Sequence, residues 1–199
     1  ENDNFESHIK DTLIAGAGLC NEKNVKIMVE NGPAEIKRLV SYGVNFDRNN
    51  GEFELGREGA HSSRRILHHK DATGAEVENK LVRAIKSDKN IFVRENTILL
   101  KLLAEDKKCY GALFLDLGKN SLISIEAKCT ILATGGIGQV YENTTNPKVA
   151  TGDGIAAAFE AGAEVENMEF VQFHPTALNV DADIKPLISE AMRGEGAYL

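Results

Sequence analysis

The sequence predicts an α/β fold, and three features of its pattern support this prediction. Amphipathic helical periods fill much of the N-terminal half. Strand-like runs then follow at residues 97–104, 109–117 and 122–127, joined by short loops that are typical of antiparallel hairpins. Apolar runs at 90–94 and 130–133 are typical of buried strands, and the second stops at two glycines. Helices, an antiparallel meander and a strand that ends in a glycine turn therefore make up the expected fold.

The composition is that of an ordinary globular protein and excludes several functional classes. The chain has 199 residues, of which 42% are hydrophobic and 27% charged, enough for one large domain or one domain and part of another. A net charge of -7 without a basic cluster speaks against nucleic-acid binding. The three cysteines, Cys20, Cys109 and Cys129, lack metal-ligand spacing, so we predict no metal site and a reducing compartment. No apolar run is long enough to cross a bilayer, and we expect a cytoplasmic protein without membrane contact.

The N-terminal elements are predicted from apolar residues that recur with a period near 3.6. Asn21 is expected to cap a helix that ends at Pro33, since proline removes a backbone donor. Pro33 is then expected to open another helix, which ends near Gly43. A further amphipathic helix follows Thr73 and Gly74.

The segment 56–74 differs from its surroundings because it is rich in glycine, histidine, arginine and carboxylates and has little to bury. Such a segment is typical of a solvated loop, but it is also typical of a loop that faces a ligand. Its composition alone leaves both interpretations open.

The stretch 131–178 contains the other candidates for chemistry. Gly135 and Gly136 leave a bare backbone that a ligand can approach closely. The turn at 151–154 leads into a helix, whose first amide groups are free and suit an anion or a polar ring edge. His174 stands directly before Pro175. Each piece also has an ordinary interpretation: a plain turn, Asp153 as a helix cap, and a structural histidine.

The order of the motifs is more specific than any one of them. ATGG, TNP, TGDG, EFxQFHPTA and SEAMRGEGAYL together resemble the flavoprotein subunits of the succinate dehydrogenase, fumarate reductase and L-aspartate oxidase family. This resemblance runs without a break from residue 131 to residue 199. Two further runs, DTLxAGxGLC and RExxHSxRRILHxxDATG, are similar to the L-aspartate oxidase branch of the family.

The resemblance implies a particular domain organisation. Residues 1–167 would form the central part of a Rossmann-like FAD-binding domain with an antiparallel β-meander, and residues 168–199 would begin an α+β capping domain. The sequence has no GxGxxG after a strand, because Gly16-Ala17-Gly18 lies in a helical context. We therefore expect an internal part of a longer protein, which would be a folded but inactive module when produced alone.

The resemblance also implies FAD as a noncovalently bound cofactor. In this family the glycine turn lies beside the cofactor, the aspartate of TGDG contacts it, and a strand backbone meets its adenine side. The corresponding residues of this chain are Ala133, Thr134, Gly135, Gly136, Asp153, Thr97 and Ile98.

The implied reaction is oxidation of L-aspartate to iminoaspartate, with hydride transfer to the flavin and reoxidation by dioxygen or fumarate. It would serve the synthesis of NAD through quinolinate, with quinolinate synthase as a partner. The implied catalytic residues are His174 and Glu58, and Ser189 and Glu190 join them in binding the substrate. A carboxylate at Glu58 attracts the ammonium of aspartate and repels succinate, which supports an aspartate enzyme. A fumarate reductase or succinate dehydrogenase flavoprotein is the alternative.

Overall fold

The computed structural model describes residues 3–188, 192 and 196–198. The chain divides into two compact units, one of Glu1–Phe92 with Ser189–Leu199 and the other of Val93–Ile188. The domain boundary expected between residues 167 and 168 stays a prediction. None of the helices in the described part of the chain is both long enough and apolar enough to cross a bilayer.

The first unit combines helices with short antiparallel hairpins. Its helices within residues 3–92 are α1 (Phe5–Ala15), α2 (Glu22–Ser41) and α3 (Thr73–Ser87). Its strands pair two by two, β1 (Arg48–Asn49) with β2 (Glu52–Phe53) and β3 (Leu55–Gly56) with β4 (Ile66–Leu67). The side chains of Asn4 and Asn21 accept hydrogen bonds from the first turns of α1 and α2, which confirms the predicted cap at Asn21.

The helix break predicted at Pro33 is wrong, because α2 continues through this residue to Ser41. Proline inside a helix costs about 3 kcal/mol, since it removes one hydrogen bond and crowds the preceding turn. The apolar period nevertheless runs unbroken across Pro33: Val25 and Val29 are buried before it and Leu39 is half-buried after it. Burial of one continuous face therefore outweighs the local preference of proline.

The second unit is built on the predicted meander. Strands β5 (Thr97–Glu105), β6 (Lys108–Asp116) and β7 (Ser121–Glu126) form an antiparallel sheet in the order β5-β6-β7. A short 3-10 helix (Gly138–Val140) and helix α4 (Asp153–Glu160) follow. Helix α4 packs on β5, where Ala157 joins Leu102 and Ala112 in the buried core. The meander and the helix after TGDG are both confirmed.

The strands predicted at 90–94 and 130–133 are wrong for the described residues, where neither segment pairs with a neighbouring strand. Phe92 and Ile131 are each 88% exposed. A buried strand depends on hydrogen bonds to a neighbouring strand, and no such neighbour pairs with these segments in the described part of the chain. Apolar character alone therefore did not determine a strand here.

Candidate cofactor and substrate site

The glycine turn at 133–136 packs against the first turn of α4. Gly152 precedes this helix in the left-handed conformation, with φ of 81°. Gly154 is buried in the first turn, and a Cβ atom added there would collide with the side chain of Thr134. The structure therefore brings together two motifs, ATGG and TGDG, that the sequence predicts to bind one cofactor.

The backbone of this turn is open on its other side. Gly135 has a φ of 75°, a conformation that favours glycine, and a Cβ added at Gly135 or Gly136 would have no heavy atom within 4 Å. Asp153 is the exposed first residue of α4, next to the free amide groups of the helix start. A bare backbone, free amides and a carboxylate fit a group such as FAD, which presents oxygens, hydroxyls and a flat ring edge.

The TNP motif closes the loop between the glycine turn and α4. Gln139 donates from its backbone amide to the carbonyl of Ala150 at 3.0 Å and from its side chain to the carbonyl of Asn146 at 2.8 Å. A Cβ atom added at Gly138 would lie 2.6 Å from the Asn146 side chain, and one added at Gly152 would lie 2.9 Å from Ile137. These contacts hold the loop against the helix start.

Thr97 and Ile98, the residues predicted at the adenine side, occupy the first two positions of β5. They pair with Asp116 and Leu115 of β6. Thr97 is half-buried and its hydroxyl donates to the carbonyl of Glu95 at 3.0 Å, while Ile98 is 38% exposed. Their role at the cofactor stays a prediction.

In the first unit, Glu58 lines a cavity of about 590 Å³. Glu58 is half-buried, and its carbonyl accepts a hydrogen bond from the amide of His61 at 3.3 Å. The cavity wall carries both signs of charge, from Asp47, Glu54, Glu58 and Asp71 and from Arg57, Arg64 and Lys70. A wall with carboxylates and cations suits a small zwitterionic or dicarboxylic ligand.

Another wall of the cavity is organised by Asp47. Its carboxylate accepts from the backbone amide of Lys70 at 2.6 Å and lies 3.1 Å from Nδ1 of His68. The hydrogen bond from Lys70, followed by the one from His68, lowers the pKa of Asp47. The wall therefore keeps a negative charge at neutral pH.

The loop that carries Glu58, residues 57–65, is clamped to the N-terminal helix. Arg65, with only 6% of its side chain exposed, pairs with Asp3 at 2.6 Å and with Asp11 at 2.7 Å. The same carboxylate oxygen of Asp11 accepts from the amide of Ser62 at 2.8 Å and from its hydroxyl at 2.7 Å. The hydrogen bonds from Ser62, and then the one from Arg65, lower the pKa of Asp11. Sequence reasoning missed this clamp, because nothing in α1 marks Asp11 as a partner of a distant loop.

The clamp predicts a particular pH dependence of stability. The pKa of Asp11 is lower in the folded state than in the unfolded state, where it is about 3.9, so its contribution is present above about pH 4 and is lost as the pH falls further. We expect Asp11→Asn to lower the free energy of unfolding at pH 7, and the difference from the unsubstituted protein to shrink below about pH 4. Urea unfolding between pH 3 and pH 7 measures this difference. Asp106→Asn, in the exposed turn between β5 and β6, is the control; a pH-independent Asp11→Asn effect would contradict the prediction.

His174 lies in the second unit, where its Nδ1 atom faces Thr176. The amide nitrogen and the hydroxyl oxygen of Thr176 lie 3.3 Å and 2.8 Å from Nδ1. Thr176 is 2% exposed, and its carbonyl accepts a hydrogen bond from the amide of Ile188 at 3.0 Å. The predicted substrate residues Ser189 and Glu190 lie outside the described residues.

Comparison with known proteins agrees with this geometry. A bare glycine turn against a helix start is a geometry that dinucleotide-binding sites use. A family model described as an FAD-binding domain matches residues 1–199, and the chain belongs to this family.

Within the family, the chain is similar to curated L-aspartate oxidases. It is 46% identical to the L-aspartate oxidase of Streptomyces coelicolor, over 100% of this chain and 36% of that protein. It is 47% identical to L-aspartate oxidase 1 of Ralstonia nicotianae, over 100% of this chain and 39% of the relative. The chain thus spans roughly a third of the length of the curated relatives it matches.

Solved structures place the fold in the same group. E. coli quinol fumarate reductase FrdA matches with a TM-score of 0.92 and 31% identity, over 98% of this chain and 33% of that chain. Mycobacterium smegmatis Sdh1 matches with a TM-score of 0.86 and 32% identity, over 97% and 34%. The predicted resemblance to the succinate dehydrogenase, fumarate reductase and L-aspartate oxidase flavoproteins is confirmed.

Proposed function

We propose that this chain is part of an FAD-dependent enzyme that oxidises L-aspartate to iminoaspartate. The observation that carries the proposal is Glu58, a half-buried carboxylate on a cavity of about 590 Å³, in a loop clamped by Asp11 and Arg65. A carboxylate held at this position favours an amino acid over a dicarboxylate without an amine. The names of the curated relatives support the same substrate.

The cofactor residues in this proposal are those predicted from the sequence. The backbone of 133–136 and the start of α4 with Asp153 would contact noncovalent FAD, and Thr97 and Ile98 would lie at its adenine side. Bound FAD supplies the acceptor for the hydride. Support comes from the open backbone at Gly135 and Gly136 and from the packing of Gly154 on Thr134.

The substrate residues have complementary tasks. Glu58 would hold the substrate ammonium, and His174 would donate a hydrogen bond to a carboxylate. Ser189 and Glu190 remain predicted members of the same site. Dioxygen or fumarate would reoxidise the flavin, and the product would enter NAD synthesis by way of quinolinate synthase in the cytoplasm.

The test uses the extended protein, by which we mean this chain together with the sequence that covers the rest of its relatives' length. With L-aspartate under air, we expect aspartate to be consumed and hydrogen peroxide to form in equal amounts. With fumarate and no oxygen, succinate should form instead. Absence of both products, from a protein that has bound FAD, would overturn the proposal.

A fumarate reductase or succinate dehydrogenase activity is the second candidate. It is favoured by the close structural match to E. coli quinol fumarate reductase FrdA, with a TM-score of 0.92. A parallel assay with succinate and an artificial acceptor separates the candidates, because a succinate dehydrogenase would reduce the acceptor with succinate and leave aspartate unchanged.

The packing of Gly154 gives a further prediction for the cofactor site. We expect Gly154→Ala in the extended protein to weaken FAD binding by roughly tenfold or more, because overpacking costs about 1–3 kcal/mol and would displace Thr134. FAD content after purification and titration with FAD measure the effect. Gly32→Ala in α2 is the matched control, since a Cβ atom there meets no heavy atom within 4 Å. Unchanged FAD affinity in Gly154→Ala would show that the turn does not hold the cofactor.

A further inference from the structure

The environment of Nδ1 of His174 defines which ring nitrogen carries the proton. The backbone amide of Thr176 points at Nδ1 at 3.3 Å, and a backbone N–H can only donate. This contact favours the tautomer in which Nδ1 presents its lone pair. The hydroxyl of Thr176, which can rotate and lies at 2.8 Å, then also donates to Nδ1.

A neutral imidazole that accepts at Nδ1 carries its proton on Nε2. If Nδ1 were protonated instead, its N–H would face the amide N–H of Thr176, and two donors would oppose each other. The arrangement thus selects one tautomer of His174 and makes Nε2 the donor.

The two donors on Thr176 are held by the surrounding backbone. Thr176 is 2% exposed, and its carbonyl accepts from Ile188 at 3.0 Å. The next residue, Ala177, forms an antiparallel bridge with Leu187, and the amide of Leu178 donates to the carbonyl of Pro186 at 2.9 Å. These bonds hold the backbone of Thr176 and thereby orient its amide.

We propose that Thr176 is a positioning residue that holds the ring of His174 with Nδ1 as an acceptor and Nε2 as a donor, directed to an acceptor such as a substrate carboxylate. The inference deepens the proposed function and rests on it for the identity of the ligand. It assigns to Thr176 a task that neither the motif nor the comparisons name.

Two variants of the extended protein test the positioning role. Thr176→Val keeps the shape and the backbone amide but removes the hydroxyl. The loss of one hydrogen bond should raise the KM for L-aspartate about fivefold, with kcat changed less than twofold and FAD content unchanged. Thr176→Ser restores the hydroxyl and should bring KM back to within about twofold of the unsubstituted protein. Equal KM values in all three proteins would overturn the proposal, as would failure of serine to rescue a folded, FAD-containing valine variant.

A spectroscopic readout does not depend on turnover or on the folding of the Thr176 variants. In the extended protein labelled with ¹⁵N-histidine, the Nδ1 resonance that disappears in His174→Ala should be of the unprotonated, pyridine-like type. A protonated Nδ1 would overturn the proposal. This result is separate from the proposed function: an unprotonated Nδ1 in a protein that does not oxidise aspartate would support the role of Thr176 and refute the substrate.

Discussion

Replacing Glu58 with glutamine in the extended protein should change aspartate and succinate binding in opposite directions. The substitution removes an attraction to the aspartate ammonium and a repulsion from dicarboxylates that lack an amine. At 4 Å and an effective dielectric near 20 the Coulomb energy is about 4 kcal/mol, and even a third of that amounts to nearly tenfold. We therefore expect the apparent Kd of aspartate, obtained from the dependence of the flavin reduction rate on aspartate concentration without oxygen, to rise by about tenfold or more. The Kd of succinate, obtained by titration of the flavin absorbance, should stay equal or fall.

Opposite changes in the Kd values of aspartate and succinate distinguish a local effect at Glu58 from a general effect on the protein. Misfolding would weaken both ligands, and a change in net charge would act from any position. Glu126→Gln on β7, which removes the same charge from an exposed site, is the matched control. If Glu58→Gln changed both ligands by the same factor, Glu58 would not recognise the amine, and the preference for aspartate would rest on resemblance alone.

Replacing His174 with alanine should weaken binding of L-aspartate by about one to two orders of magnitude. A hydrogen bond to a charged group contributes roughly 1.5–3 kcal/mol, and the variant loses the donor to a substrate carboxylate. The contacts of the glycine turn with α4 involve other residues, so FAD content should remain normal. The dependence of the anaerobic flavin reduction rate on aspartate concentration gives the apparent affinity, and the FAD content is measured on the purified variant. Loss of FAD with unchanged affinity for aspartate would assign His174 to the cofactor instead.

Much of the fold was predictable because its signals are local. The meander follows from alternating strands and the short loops at 105–108 and 118–120, and each strand pairs with its neighbour in sequence. The cap at Asn21 and the helix after TGDG also depend on a few adjacent residues. These elements are determined by residues that are close together in the sequence, and their predictions were confirmed.

Features that depend on distant partners were not predictable. The segments 90–94 and 130–133 are apolar, but a strand also needs a neighbour, and none pairs with them in the described part of the chain. The continuation of α2 through Pro33 depends on burial of a whole helix face. The clamp joins Asp11 to Arg65, which lies 54 residues away, and no pattern in α1 indicates this pair.

The candidate site was predictable where its residues belong to short motifs, and not where they depend on contacts between distant parts of the chain. The motif order indicated ATGG and TGDG, and the resemblance of the RExxHS run indicated Glu58. The structure adds how Gly154 packs on Thr134 and how the loop of Glu58 is held. Thr176 lies only two residues from His174, so its hydroxyl could have been noted as a local partner. Its backbone amide as a second donor required the three-dimensional structure.

The most direct test of the account is the reduction of bound flavin in the extended protein without oxygen. L-Aspartate should bleach the absorbance of oxidised FAD in a rapid single turnover, while succinate at the same concentration should leave the spectrum unchanged. This result would follow if the extended protein recognises the ammonium group of an amino dicarboxylic acid. Bleaching by succinate and not by L-aspartate would contradict the account and assign the chain to a succinate dehydrogenase or fumarate reductase flavoprotein.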